Sequence, residues 1–333
     1  MDINKIIARE KPNEKPVDLV MSLLGLTKSG AYKKLNGASK FSVEEVVTIF
    51  NTLDISFDQY FLSGQKEMKN YSFSTDTIKY RPRTYSEFWT QISLHLGQLV
   101  QDTNATAIYL ANEIPIFYYL QFPKLMAFKL FVWDKTNWNI SADNDRFSFN
   151  LIYDIPSLKE ITQKVLDIYL SYPSIEVWNP NMFALTMMQL SYYTRAGVFK
   201  SADIIREIIG DLDKLMVFMK KNCESGKKSF FGQESSNNDV EIYLNELVFN
   251  SEMIFIKSDN QKSLYNKYDT PNYIFSDDQR VCNHIESWLD RIISKSTLIS
   301  TRGKRDRDLF FKNAFDDLDI FQERTEGMIK TYF

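Results

Sequence analysis

The sequence predicts a mainly helical, α+β protein in two parts, on three observations. Residues 1–62 break into short amphipathic stretches bounded by helix caps and glycines. From Tyr85 onward, apolar residues recur at helical spacing over much longer runs. Between Val240 and Phe275, short runs of strand-forming residues are separated by turn residues, as in antiparallel strands. The expected organisation is an all-α domain over 1–62, a linker over 63–84, and a larger domain over 85–333 with long helices and a small antiparallel sheet.

In the first part, Ile3, Ile6 and Ile7 form a short helical stripe. Pro16 suits the first turn of a helix carrying Val17, Val20, Met21 and Leu24, which stops at Gly25. Thr27 is a good N-cap for the next helix, which ends at Gly37. Ser42-Val43-Glu44-Glu45 is a capping box for a helix burying Val46, Val47, Ile49, Phe50 and Leu53, and the tail Ile55–Phe61 is expected to close this core. From Ser63 to Arg83 the chain turns polar and loses its periodicity.

In the second part, Tyr85, Phe88, Trp89, Ile92, Leu96 and Leu99 lie on one face of an amphipathic helix. Residues 107–120 read as two strands broken at Asn112-Glu113. Helices follow at about 124–136, 157–171, 180–196 and 201–222. Short strands are expected at Val240–Val248, Met253–Lys257, Ser263–Tyr268 and Asn272–Phe275, then helices at about 277–295 and 304–330. The helix over Tyr85–Leu99 and the one near Phe310–Ile320 (Phe310, Phe311, Phe315, Leu318) offer dimer surfaces, or equally are ordinary core helices.

Composition limits the functional classes. The chain has 333 residues, 44% hydrophobic and 25% charged, which is ordinary for a globular protein. A net charge of −3 means that any nucleic-acid contact must come from a local patch. Two cysteines, Cys223 and Cys282, read as reduced thiols, and no apolar leader follows Met1, so a cytoplasmic protein is expected. The apolar stretch Ala105–Trp133 is interrupted by Glu113, Pro115, Gln121, Pro123, Lys124 and Lys129, so no membrane span is expected. The richness in Phe, Tyr, Lys, Asn and Ile reads as the codon bias of an A/T-rich genome.

The sharpest local signal is Leu26–Lys40, with four lysines and no acid in an acidic chain. In a helix after Thr27, Ala31, Tyr32 and Leu35 would face the core, and Lys28, Ser29, Lys33, Lys34 and Asn36 would face outward. Lysine suits phosphate, and Ser or Asn can bond phosphates or base edges. Such a run on its own is most often a solvated face. Helix, glycine turn, basic helix and capped helix in succession is the layout of a helix-turn-helix unit. The expected DNA-contacting residues are Thr27, Lys28, Ser29, Tyr32, Lys33, Lys34, Asn36 and Lys40.

The segment Pro16–Phe61, centred on Gly25-Leu26-Thr27-Lys28-Ser29-Gly30-Ala31-Tyr32-Lys33-Lys34-Leu35-Asn36-Gly37, resembles the N-terminal domain of bacterial Cro/C1-type (XRE, BetR-like) regulators of the Bacteroidota kind. The resemblance implies five short helices, with the one after Thr27 as the recognition helix. The remainder is similar to the uncharacterised C-terminal half of such regulators around Glu113–Tyr118 and Lys295–Ser300, and no activity comes with it. Alignment on Gly25 puts Lys34 at a position that is usually aliphatic and buried. Alignment on Tyr32 and Leu35 keeps that lysine out of the core with a turn one residue longer, and is preferred. Whether Lys28 or Ser29 meets a base stays open.

Enzyme signatures are largely lacking. His95 and His284 have no partners at metal-ligand spacing, since Cys282-Asn283-His284 is too tight. Ser225-Gly226-Lys227-Lys228-Ser229 lacks the first glycine and the Gly-Lys-Ser adjacency of a phosphate loop. Arg302, Lys304, Arg305 and Arg307 interleave with Asp306 and Asp308 and read as a salt-bridged helix start or dimer-contact loop, with a DNA contact as the alternative. The expectation is a non-enzymatic transcriptional regulator that needs no cofactor or metal. Its partners would be double-stranded DNA, a second copy of the chain, and a small-molecule or protein effector of unknown identity. The rival is a protein-interaction or effector-sensing module whose helix-turn-helix does not bind DNA.

Overall fold

The computed structural model describes residues 3–12, 14–53, 55, 73, 82–99, 104–141, 145–153, 155–232, 238–247 and 252–332. It divides into two compact units, Met1–Ser72 and Phe73–Phe333.

In the first unit, helices α1 (Ile3–Glu10), α2 (Pro16–Leu24), α3 (Lys28–Leu35) and α4 (Val43–Thr52) surround a small core. Ile3, Ile6, Ile7, Val17, Val20, Ala31, Val46, Ile49 and Phe50 are its buried members. Val47, expected inside, is 40% exposed. The expected core-closing tail beyond Ile55, and the linker apart from Phe73 and 82–84, lie outside the described residues.

The second unit is an α+β structure with a sheet larger than the sequence predicts. Its order is α5 (Tyr85–Leu99), β1 (Thr106–Ala111), α6 (Ile116–Tyr119), α7 (Pro123–Trp133), a π-helical turn at Asp134–Trp138, α8 (Phe149–Ile152), α9 (Pro156–Leu170) and β2 (Ser174–Trp178). Then come α10 (Ala184–Arg195), α11 (Ala202–Ser225), β3 (Val240–Leu244), β4 (Met253–Lys257), β5 (Lys262–Asp269), β6 (Asn272–Ser276), α12 (Gln279–Ser294), β7 (Thr297–Leu298) and α13 (Lys304–Tyr332). The sheet has seven strands in the order β6-β5-β4-β1-β2-β3-β7.

Two corrections follow. The sheet is mixed: β1, β2 and β3 are mutually parallel in the register Ala111–Trp178–Leu244, while β4, β5, β6 and β7 pair antiparallel. Parallel neighbours need long crossovers, and here α6–α9 join β1 to β2 while α10 and α11 join β2 to β3. Furthermore, Ile116–Tyr119, expected as a second strand, is a helical turn opened by Pro115.

The sheet is covered on both faces. Ala107, Tyr109 and Ala111 join a large core with most of the helices, whereas Ile108 and Leu110 join a second core against Val281, Cys282 and Leu289 of α12. Tyr85, Phe88, Trp89 and Leu96 of α5 are buried in the large core, as are Phe310, Phe311 and Leu318 of α13. Those faces are therefore core faces and not dimer surfaces. Among the described residues, no helix is long and apolar enough to cross a membrane.

Burial of charge is the costly feature of this unit. Glu176 on β2 is fully buried and accepts hydrogen bonds from Tyr169 Oη at 2.7 Å, Trp178 Nε1 at 2.9 Å and Tyr118 Oη at 3.1 Å. Burial pushes its carboxyl above the usual glutamate range. Nearby Lys228 donates from Nζ to the carbonyls of Tyr169 and Tyr172, both at 2.8 Å, and lies over both tyrosine rings. Burial lowers its ammonium to about 7.

A second buried group joins Glu113 to Lys129 at 3.0 Å and to Lys267, which also pairs with Glu252 at 3.0 Å. Burial opposes ionisation of Glu113, but the two ammonium groups outweigh it and hold the carboxyl at about 2. Breaking one member of such a group strands the others.

Replacing Lys228 by Met leaves two buried carbonyls without a donor, and the expected loss in chemical denaturation is about 2–4 kcal/mol. The pH dependence has a definite sign. Above pH 7 the unfolded chain, with an ordinary lysine value near 10.5, holds a proton that the folded site releases. Stability contributed by this site therefore rises with pH from about 7, and the K228M protein should lack that rise.

Candidate nucleic-acid interface

The order of caps builds the helix-turn-helix from local chemistry. Gly25 ends α2 at φ 61, a left-handed conformation that glycine adopts without steric cost, and its N–H donates to the Met21 carbonyl. Thr27 then takes an extended conformation, and its side chain accepts from Gly30 N at 3.3 Å. At the start of α4, Ser42 Oγ accepts from Glu45 N at 3.2 Å, while Glu45 Oε2 accepts from Ser42 N at 2.7 Å, which completes the capping box.

The lysine run divides into two kinds. Lys28 and Lys33 are exposed on α3, and Lys40 is exposed beyond it; none has an ion-pair partner among the described residues. Lys34 is different. Its side chain is only 15% exposed, and its Nζ donates to Glu45 Oε2 at 2.7 Å and to the Lys40 carbonyl at 2.8 Å. It also lies 5.4 Å from the centre of the Phe41 ring. The Lys34 bond and the Ser42 N–H hold the Glu45 carboxyl below the usual glutamate value of 4.5. Lys34 thus ties α3 to the start of α4, and its expected outward position is corrected.

Tyr32 also departs from its expected place. It is 47% exposed, whereas Ala31 is fully buried and Leu35 half-buried. One residue step turns an α-helix by about 100°, so Ala31 and Leu35 claim the inner face and turn Tyr32 outward. The outer face of α3 therefore carries Lys28, Ser29, Tyr32 and Lys33, with Asn36 at its end and Thr27 at its cap, all exposed. This surface offers two point charges, hydroxyls and an amide, with no carboxylate on the helix. That composition suits phosphate positioning with a few groups left to reach base edges.

Of the other sequence candidates, Arg307 and Gly226 have structural roles. Arg307 is buried and donates to the carbonyls of Ile299 at 2.9 Å and Thr301 at 3.3 Å, so it braces the turn before α13. Arg302, Lys304 and Arg305 are exposed. Gly226, in the stretch compared with a phosphate loop, is the left-handed C-cap of α11. His284 is exposed and His95 is half-buried, 6.2 Å from the Tyr265 ring. Among the described residues no three His, Cys, Asp or Glu side chains are gathered as metal ligands.

The buried charges around Glu176 and Glu113 were not anticipated from the sequence. The signal for one of them was present: Glu113 and Lys129 stand inside the longest apolar stretch. No protein-family model matches the chain, and neither does any curated protein or solved structure compared with it.

The Lys34–Glu45 tie is expected to contribute about 1 kcal/mol to the first unit, since the pair is only partly shielded from solvent. Lys34→Ala should raise amide hydrogen exchange in α3 and α4 accordingly. Because the Glu45 value is depressed, its contribution is present above pH 4.5 and is lost as pH falls through the folded value. Glu45→Gln should remove that acid-side loss, measured as the difference in exchange between pH 6 and pH 3.

Proposed function

We propose that the chain is a DNA-binding transcriptional regulator of the Cro/C1 (XRE, BetR-like) kind, dimeric on its operator and cytoplasmic, with the larger unit serving oligomerisation and effector sensing. The observation that carries this reading is the outer face of α3, where Lys28 and Lys33 stand exposed, with no ion-pair partner among the described residues, beside Ser29, Tyr32 and Asn36. Exposed ammonium groups on a helix that carries no carboxylate are complementary to an anion supplied from outside it. The phosphate backbone of a major groove supplies that anion along the length of the helix. A dimer would set two such helices roughly 34 Å apart on one face of the duplex. Its contact surface is not the buried faces of α5 or α13.

A second reading has its own observation. Val43 is 75% exposed and Val47 40% exposed on α4, an apolar pair one turn apart. In that reading the first unit docks on a protein through α4 and α3 touches no DNA.

Selection of random duplex DNA by the full chain separates the two. The expected result is enrichment of a two-fold symmetric site by the wild type, and none by the Lys28→Ala, Lys33→Ala double variant on the same fold. On the enriched site, the slope of log affinity against log salt should fall by about one per lysine removed in each subunit. Lys34→Met should retain selection wherever α3 and α4 stay folded. Equal behaviour of wild type and double variant, or no enrichment by either, overturns DNA reading by this face.

A further inference from the structure

We propose that the second unit pairs with a second copy of the chain through the exposed faces of α10 and α13, packed antiparallel about a two-fold axis. The inference rests on the dimeric half of the proposed function, whose surface it names, and does not depend on the DNA-binding half.

Leu185, Met188 and Tyr192 are exposed on α10, Met188 by 67% and Tyr192 by 59%, and their spacing of three and four residues puts them in one stripe. Thr186, Met187, Leu190 and Thr194 hold the other side of the helix in the core. No other helix among the described residues exposes three large apolar side chains at this spacing. Arg195 is the one charge on α10, at its last residue, so the stripe has no charge within it. Apolar surface gathered in this way, unlike single exposed residues, marks an interaction site.

α13 continues the face. Phe310 lies 6.0 Å from Phe183, ring to ring, and Met328 Sδ is 3.9 Å from Ser191 Oγ, so α13 runs beside α10 in the same direction. Asp317 and Arg324 follow Phe310 by seven and fourteen residues, two and four turns, and so border α10 with Ile320 between them. All three are exposed. Among the described residues, the ion pairs of α13 use Asp308, Asp316 and Glu326 and leave Asp317 and Arg324 out.

This surface is complementary to itself. Leu185 and Tyr192 stand three residues before and four after Met188, as Asp317 and Arg324 do about Ile320. Met188 and Ile320 each fall one residue past the midpoint between the contacts Phe183–Phe310 and Ser191–Met328, so they lie at one level. A two-fold axis crossing the helices at that level sets Leu185 against Tyr192 of the second copy and Asp317 against Arg324 of the second copy, each pair formed twice. Met188 and Ile320 then meet their own counterparts on the axis. Spacing of three and four residues is also what side-by-side helices need to interdigitate. The other exposed carboxylates here, Asp316, Asp319 and Glu323, lie on the opposite flank of α13, the side on which Asp308 and Glu326 meet Lys220 and Arg206. An unrelated partner requires no such symmetry, whereas a second copy does.

The test is sedimentation velocity of the full chain without DNA, with circular dichroism verifying that each variant is folded; every substituted side chain is exposed. The wild type is expected to dimerise. Met188→Lys should raise the dissociation constant about tenfold or more, because it sets two ammonium groups against each other at the axis. Asp317→Arg and Arg324→Asp, each alone, turn two attractive pairs into repulsive ones and should weaken the dimer to a similar degree. Mixing those two single variants should restore association, since a D317R chain opposite an R324D chain recovers both pairs.

A wild type that is monomeric at every concentration measured overturns the proposal and leaves the face to a protein other than this chain. A wild-type dimer indifferent to M188K and to both charge reversals overturns it as well. Single reversals that weaken the dimer without rescue on mixing overturn the antiparallel arrangement. The two readings fail separately. A dimer that selects no operator leaves this interface standing, and a selected two-fold symmetric operator with a dimer blind to these substitutions leaves the α3 reading standing.

Discussion

The carboxylate of Glu176 is the constraint around which the second unit is organised. It lies at the middle of β2, the central parallel strand, with no exposure to water. A carboxyl there is tolerable only if donors come to it from several directions. They come from Tyr118 in α6, Tyr169 in α9 and Trp178 in β2 itself. Those bonds fasten α6 and α9 to the sheet at one point. Phe117 stacks on Tyr169 at 4.8 Å, so the polar anchor and the aromatic packing reinforce each other. Lys228 adds opposite charge and also satisfies the carbonyls at the end of α9, joining the segment after α11 to the same point.

How legible all this was in the sequence depended on whether the signal was local. The caps at Gly25, Thr27 and Ser42 are short-range motifs, and the helices they bound stand close to where they were expected. The strands β4, β5 and β6 follow one another through short connections, so pattern and turn residues sufficed. β2 was missed because Ser-Ile-Glu-Val-Trp is only five residues long and carries a charge at its centre. Its partners are β1 and β3, each separated from it by more than sixty residues of chain, and no local pattern announces such pairing. Ile116–Tyr119 misled in the opposite sense. β-Branched and aromatic residues favour strands, but Pro115 and burial on the helical side impose a turn of helix.

The candidate site was legible only in outline. Counting lysines points to α3 but treats all four as equivalent. What separates Lys34 from Lys28 and Lys33 is tertiary: Glu45 lies eleven residues further on, and its capping-box role places its carboxylate beside the end of α3. The same carboxylate thus caps one helix and fastens another. Tyr32 shows the complementary limit, for a helix with only a narrow apolar stripe has two plausible inward faces one residue apart. The buried Ala31 decides between them, because a methyl group allows α3 to approach its neighbours closely.

This division of labour among the lysines bears on the affinity that the proposed function requires. With Lys34 committed internally, one copy of α3 presents two cations, and each phosphate they neutralise contributes about 0.9 to the salt slope. Such a small charge cannot hold a single unit on DNA at physiological salt, and the chain as a whole, at −3, gives no attractive field to assist it. Joining two copies changes the arithmetic, because the second helix then binds at an effective concentration fixed by its tether. Selectivity follows from the same weakness: a half-site that misplaces one helix forfeits the second contact as well. In this reading the larger unit is indispensable to operator recognition although it touches no base, and a ligand that altered how two copies associate would alter DNA occupancy without approaching α3.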